Sequence, residues 1–261
     1  MMRTSNPVLN TNTFTQVRND GIGGAMTLQG AVNKTFVLLF LLLISASWVW
    51  SKIMPSTTPM FDGVGSSSGP VSQTFAPIMM MGAILGFITA IVTAFKKEWS
   101  PVTAPIYAIC EGLFIGGISA IFELNYPGIV IQAVALTFGT LFCLLTAYKS
   151  GMIKVTENFK LGLFAATGAI CLVYLVNFIM GFFHSSIPLI QSSGPFGIAF
   201  SVVVVGIAAL NLVMDFDFIE NGSSMGLPKY MEWYAAFGLI VTLVWLYVEI
   251  LRLLSKLRER R

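Results

Sequence analysis

The sequence predicts an all-α membrane protein, a bundle of seven transmembrane helices. Hydrophobic residues make up 56% of the 261 residues and charged residues only 10%, whereas soluble domains carry about 25% charged residues. The apolar residues lie in long, nearly uncharged runs, and a run of 18 or more such residues indicates a membrane span. Because lipid cannot hydrogen bond to an open backbone, each run is expected to be helical.

Seven apolar runs each approach the roughly twenty residues that cross the hydrocarbon core. They cover residues 31–51, 74–95, 101–122, 128–148, 161–183, 196–220 and 229–254. The predicted organisation is a polar, mobile N-terminal tail, a transmembrane domain and a basic C-terminal tail, at residues 1–30, 31–255 and 256–261.

Small residues in the second and third spans predict close helix packing. Gly82 and Gly86, like Gly112 and Gly116, are four residues apart and therefore share one helix face. This GxxxG spacing lets helix backbones approach each other closely. Pro105, early in the third span, is a candidate site for a kink.

Basic residues predict the orientation, because short cytoplasmic loops are rich in Lys and Arg. If the amino terminus is cytoplasmic, the cytoplasmic side of the first six spans carries nine such residues, against Lys52 alone outside. We therefore expect an inner- or plasma-membrane protein with a cytoplasmic amino terminus. Seven full spans place the basic C-terminal tail outside, against this rule. A re-entrant last segment would instead return the tail to the cytoplasm. We expect seven full spans.

Ionisable side chains at membrane depth are costly and mark function by default. The candidates for an ion path lie in the third, sixth and seventh spans: Glu111, Asn211, Asp215, Asp217, Glu232 and Glu249. Asn211 and Asp215 are four residues apart and share a helix face. Carboxylate and amide oxygens on one stripe suit a hard cation such as calcium.

Each candidate also has a structural interpretation. Glu111 could hydrogen bond to a neighbouring carbonyl in its protonated form, and Asp217 could belong to a solvated helix end. Glu249 precedes Arg252 by three residues, which favours an intrahelical ion pair. Glu232 is expected in the aromatic belt at the membrane interface.

Three runs resemble the Bax-inhibitor (transmembrane Bax-inhibitor-motif) family, and the resemblance extends over roughly residues 30–255. The runs are Glu111-Gly-Leu-Phe-Ile-Gly-Gly, Asn211-Leu-Val-Met-Asp-Phe-Asp-Phe-Ile and Leu246-Tyr-Val-Glu-Ile-Leu-Arg-Leu-Leu. The resemblance implies seven helices with the last one central. It also implies a calcium leak gated by a carboxylate pair between helices six and seven, which would be Asp215 and Glu249, with calcium bound at the pair.

The chain departs from the family pattern at three places. Glu249 stands where Asp is usual, Asp217 stands where an amide is common, and Lys96 and Lys97 replace an Arg near the end of the second helix. A latch between that Arg and the acids is therefore in doubt.

A carboxylate pair would make the gate sensitive to pH. Two carboxylates in a partly dry site cannot both ionise cheaply, so they titrate together, and a shared proton could hold two helices in one of two states. Centring each span on its apolar run separates Asp215 and Glu249 by roughly 20 Å in depth. The two acids can meet only if the seventh helix lies closer to the cytoplasm than its apolar run suggests. Otherwise Glu232 is the better partner for Asp215 or Asp217.

Enzymatic functions are disfavoured, and we expect no cofactor. A retinal-binding protein needs a Lys in its last helix, but no Lys lies between Lys229 and Lys256. A serine protease built on Gly117-Ile-Ser119 needs a base, and the lone His184 forms no visible dyad with it. An intramembrane aspartyl protease would have a GxGD run, which is absent from the sequence. The charge pattern is unlike a nucleic-acid surface. The expected partners are the lipid bilayer, calcium and protons. The alternative is a non-enzymatic modulator of another membrane protein, for example a membrane protease, in the stress response. A coupled transporter would be supported by Gly or Pro breaks at matching positions in its two halves, and this sequence does not have them.

Overall fold

The computed structural model describes residues 24–54, 71–183, 187, 190 and 192–260. Its long helices are α1 Leu28–Ile53, α2 Val71–Phe95, α3 Ser100–Asn125, α4 Ile129–Lys149, α5 Glu157–Phe182, α6 Pro195–Ser224 and α7 Met231–Glu259. A single 3₁₀ turn, Lys97–Trp99, precedes α3. Within these described residues, seven helices are long and apolar enough to cross a membrane, which confirms the predicted class and number of spans.

The helix boundaries differ from the apolar runs by up to five residues, and the differences include both ends of the chain. α1 begins at Leu28, inside the segment predicted as a tail, because the Thr27 side chain accepts a hydrogen bond from the Gly30 amide at 3.0 Å and so caps the helix. α7 continues to Glu259, so the helix includes most of the segment predicted as a basic tail. Residues 1–23 of the predicted N-terminal tail, and His184, lie outside the described residues.

The last helix is the centre of the bundle. Half of the residues in the most apolar stretch of α7 are buried, against 11% in α5, and α7 packs against α1, α3, α4 and α6. The central position of the last helix is therefore confirmed.

α7 crosses the whole bundle. Beside its start, the Ser100 hydroxyl donates to the Tyr230 carbonyl at 2.9 Å. Near its other end, Arg258 donates to the Pro127 carbonyl at 2.7 Å, in the connection between α3 and α4. These contacts are at opposite ends of α3, so a re-entrant last segment is not observed, and the basic C-terminal residues lie at the end of the bundle opposite the start of α1.

The predicted glycine contacts are present. A Cβ on Gly82 would lie 2.8 Å from the Cys110 carbonyl oxygen, and one on Gly116 would lie 2.7 Å from the Ala46 Cα. α2 and α1 therefore both pack backbone to backbone on α3, as small residues allow. α3 continues through Pro105 as one helix.

Candidate functional site

Asp215 lies where α6 packs against α7. One carboxylate oxygen, Oδ1, would lie 3.9 Å from a Cβ placed on Gly238, so the side chain faces the small-residue surface of α7. The other oxygen, Oδ2, is buried and accepts no hydrogen bond from any of the described residues. A buried carboxylate oxygen without a donor is costly, and such a group in a native fold needs an explanation, for example a bound water or ion.

Glu111 lines the same cavity as Asp215. The cavity has a volume of about 650 Å³ and its wall is formed by residues of α2, α3, α6 and α7. Glu111 reaches it from α3 over Gly86, where an added Cβ would lie 3.3 Å from Oε2. Among the described residues that form the wall there is no Lys or Arg; apart from the two acids, their polar side chains are Tyr107 and Thr242. In the described part of the chain, the cavity therefore combines two acidic groups with no basic side chain.

Glu249 lies in a different environment, further along α7. Its two oxygens accept hydrogen bonds from the Tyr174 hydroxyl at 2.9 and 3.0 Å and from Arg252 Nη1 at 3.1 and 3.2 Å. The intrahelical ion pair suggested by the three-residue spacing is present. The Arg252 guanidinium also lies over the Tyr174 ring, 5.1 Å from its centre, so the three side chains form one closed cluster.

The structure does not bring Asp215 and Glu249 together. Asp215 is level with Gly238 and Thr242, which precede Glu249 by eleven and seven residues, or roughly 16 and 10 Å along the helix axis. This separation is smaller than the roughly 20 Å expected from the apolar runs. Part of the difference arises because α7 continues to Glu259, so its middle is further along the chain than its apolar run indicated.

One face of α7 nevertheless connects the two acids. Residues spaced alternately by four and three share a helix face, and this face carries Gly238, Thr242, Trp245, Glu249, Arg252 and Lys256. Asp215 adjoins the beginning of this series. At its end, the buried Lys256 ammonium donates to the Gly197 carbonyl at 3.1 Å and to the Ser201 hydroxyl at 2.9 Å. We call this series the polar face of α7.

Asn211 and Asp217 are engaged on the α5 side of α6. The Asn211 amide donates to the Thr167 hydroxyl at 2.9 Å, so it does not join Asp215 in one set of ligands. Asp217 forms an ion pair with Lys160 at 3.2 Å. Both contacts join α6 to α5.

Glu232 fastens the beginning of α1 to the beginning of α7. It accepts hydrogen bonds from the Thr27 amide and hydroxyl, both at 3.0 Å, and forms an ion pair with Lys34. Only 1% of the residue is exposed, so Glu232 is inside the bundle rather than in a belt at the surface. It lies ten residues before Thr242, and Asp215 therefore has no partner in Glu232.

Several residues of these clusters were not predicted from the sequence, among them Thr242, Lys256 and Tyr174. Thr242 and Lys256 could have been found from the spacing of polar residues on one face of α7. Tyr174 lies in an apolar run that also contains several Phe residues, so only its hydrogen bond to a side chain of α7 assigns it to Glu249.

Comparison with known proteins gives one family. A family model described as "Bax inhibitor 1 like" matches residues 6–259, nearly the whole chain. No curated protein and no solved structure matches the chain.

Proposed function

Because the chain belongs to the Bax inhibitor 1-like family, we propose that it is a calcium-permeable, proton-sensitive leak in an inner or plasma membrane. The observation that supports this most is the buried Asp215 oxygen without a hydrogen-bond donor, in a cavity that also contains Glu111. The proposed activity is transport and needs no catalytic residue.

The chemistry of the cavity suits a hard cation that passes through. Carboxylate oxygens are the ligands that calcium prefers, and none of the described residues of the cavity wall is a basic side chain that competes for them. Among the described residues, no group of three or more His, Cys, Asp or Glu side chains could hold a metal ion. Two acids thus provide weak binding, and conduction requires an ion to leave as readily as it enters. Protons compete for the same oxygens, which would make the flux sensitive to pH.

In the proposed leak, the calcium ion moves along the polar face of α7. The path is closed at Glu249. With the amino terminus in the cytoplasm, the Asp215 cavity is in the cytoplasmic half of the bundle and Glu249 in the outer half. In this arrangement Arg252 occupies both oxygens of Glu249, and the buried Lys256 follows one turn later. Both positive charges repel a divalent cation, so this arrangement is closed. The two acids that the resemblance assigns to the gate therefore act at two levels of one path.

Removal of either acid of the cavity should reduce calcium flux. We expect Asp215→Asn and Glu111→Gln each to lower flux into proteoliposomes by about tenfold or more, since the loss of ~1.4 kcal/mol of ion stabilisation is a tenfold change. Flux of the unchanged protein should rise from pH 6 through 7 to 8 as the oxygens lose protons. The measurement is the initial rate of calcium entry, with a dye inside the vesicles.

Asp217→Asn is the matched control, because it removes an acid of the same helix that is already paired with Lys160. It should leave the flux close to that of the unchanged protein. Equal effects of Asp217→Asn and Asp215→Asn would contradict the assignment of the path. An absence of flux above protein-free vesicles at every pH would overturn the leak and favour the modulator of another membrane protein.

Arg252→Gln should increase the flux. The substitution removes the positive charge that occupies Glu249 and frees its carboxylate for a cation, while the Tyr174 hydroxyl still contacts the acid. Arg258→Gln is the control, because Arg258 is near the same end of α7 but donates to the exposed Pro127 carbonyl. A flux that responds equally to both substitutions would show that the net charge of this end, rather than the closed cluster, sets the rate.

A further inference from the structure

A second cavity lies in the other half of the bundle, between α1, α3, α4 and α7. Its volume is about 320 Å³, within the range of small-molecule sites, and the described residues of its wall include no charged side chain. The lining residues come from the second half of α1 and the first half of α4. The cavity is therefore nearer the end of the bundle at which the basic residues of α7 lie, apart from the cavity of Asp215.

The polar groups of this wall are largely bonded within the protein. The hydroxyls of Ser119 and Tyr247 hydrogen bond to each other at 2.7 Å. Thr137 donates to the Ala133 carbonyl one turn earlier at 2.8 Å. Water requires two to four polar partners and leaves apolar cavities dry, so this cavity favours an apolar occupant.

The mouth of the cavity faces the surroundings of the bundle at membrane depth. Leu43 of α1 and Val134 of α4 line it, and both are exposed on the outer surface of the helices. Both residues lie inside candidate membrane spans, where the surrounding medium is the acyl chains of lipid. The gap between α1 and α4 therefore opens into hydrocarbon rather than into water.

We propose that this cavity binds one acyl chain of a bilayer phospholipid, inserted between α1 and α4. The apolar wall, the bonded hydroxyls and the opening at membrane depth all match a hydrocarbon chain. Protein interiors are close-packed, and the chain would fill a gap that the side chains leave between four helices. The proposal does not rest on the proposed calcium leak.

Tryptophan fluorescence can test the proposal, because Trp50 lines the cavity and Trp48 is exposed on the outer face of the same helix. Single-tryptophan proteins that keep Trp50 or Trp48, with the other tryptophans replaced by Phe, are placed in vesicles of phospholipid brominated on the acyl chain. Bromine quenches tryptophan on contact. We expect both residues to be quenched.

Val134→Phe should change the quenching of Trp50 without changing that of Trp48. The larger ring fills part of the cavity and should reduce quenching of Trp50 by about twofold or more, since a packed interior leaves no room for a second occupant. Quenching of Trp48 should not change. Ile131→Phe is the control, because Ile131 is one turn away on α4 and 74% exposed. Absent quenching of Trp50, or quenching that Val134→Phe leaves unchanged, would overturn the proposal.

A second measurement avoids the tryptophan replacements. The phospholipid that remains with purified protein is extracted and counted for the otherwise unchanged chain carrying Val134→Phe, Ser47→Phe or Ile131→Phe. Ser47 lines the cavity from α1, so the first two variants should retain less phospholipid than the third. Equal retention in all three would overturn the proposal.

Discussion

Gly116→Leu is expected to separate α1 from α3 and to destabilise the folded protein by about 3 kcal/mol or more, at the upper end of the effect of overpacking. An added Cβ at this position would lie 2.7 Å from the Ala46 Cα and 2.9 Å from its carbonyl carbon. A side chain could rotate away, but these are backbone atoms, so the helix itself would have to move. Gly112, one turn earlier, faces the Leu42 carbonyl and the Ser45 hydroxyl in the same way. The measurement is thermal unfolding in detergent.

Gly139→Leu is the matched control for this substitution. Gly139 is also a helical glycine in a span, but a Cβ there would meet nothing within 4 Å. The same change of residue should therefore have little effect on α4, and helix propensity favours Leu over Gly. An equal loss of stability in the two variants would contradict the contact between α1 and α3 as the cause.

The fold could be predicted from the sequence because lipid restricts the alternatives. A run of about twenty apolar residues can satisfy its backbone only as a helix, and GxxxG spacing indicates a close contact wherever it occurs. The sequence could not show where the helices end, because the ends depend on local contacts. Thr27 extends α1 by capping it. Lys256 belongs to α7 because the Gly197 carbonyl and the Ser201 hydroxyl satisfy its ammonium inside the bundle.

The candidate residues could be found from the sequence, but their pairing could not. Acids at membrane depth are rare, so Glu111, Asp215 and Glu249 were evident as a set. Which of them share a site depends on the relative depth and rotation of α3, α6 and α7, and one residue changes the rotation of a helical side chain by about 100°. In the folded protein, Asp215 lines the same cavity as Glu111. Glu249 instead accepts a hydrogen bond from Tyr174.

Glu232→Ala is expected to destabilise the folded protein by about 3 to 5 kcal/mol, the cost of removing one partner of a buried ion pair. Glu232 accepts from the amide and hydroxyl of Thr27 and pairs with Lys34. Without the carboxylate, the Lys34 ammonium and the Thr27 amide lose their acceptor inside the bundle. Near the same place the Met26 amide donates to the Leu227 carbonyl at 2.6 Å; this attachment of the segment before α1 would remain, while the one to the start of α7 would be lost.

Two comparisons separate the ion pair from simple loss of side-chain volume. Glu157→Ala removes a carboxylate that pairs with Lys160 but is 90% exposed, and exposed pairs contribute little; its effect on thermal unfolding should be close to zero. Glu232→Gln keeps the volume and the oxygen that accepts from Thr27 but removes the charge. It should lie between the unchanged protein and Glu232→Ala. Equal stability of Glu232→Gln and the unchanged protein would show that hydrogen bonding to Thr27, and not the pairing with Lys34, holds α1 against α7.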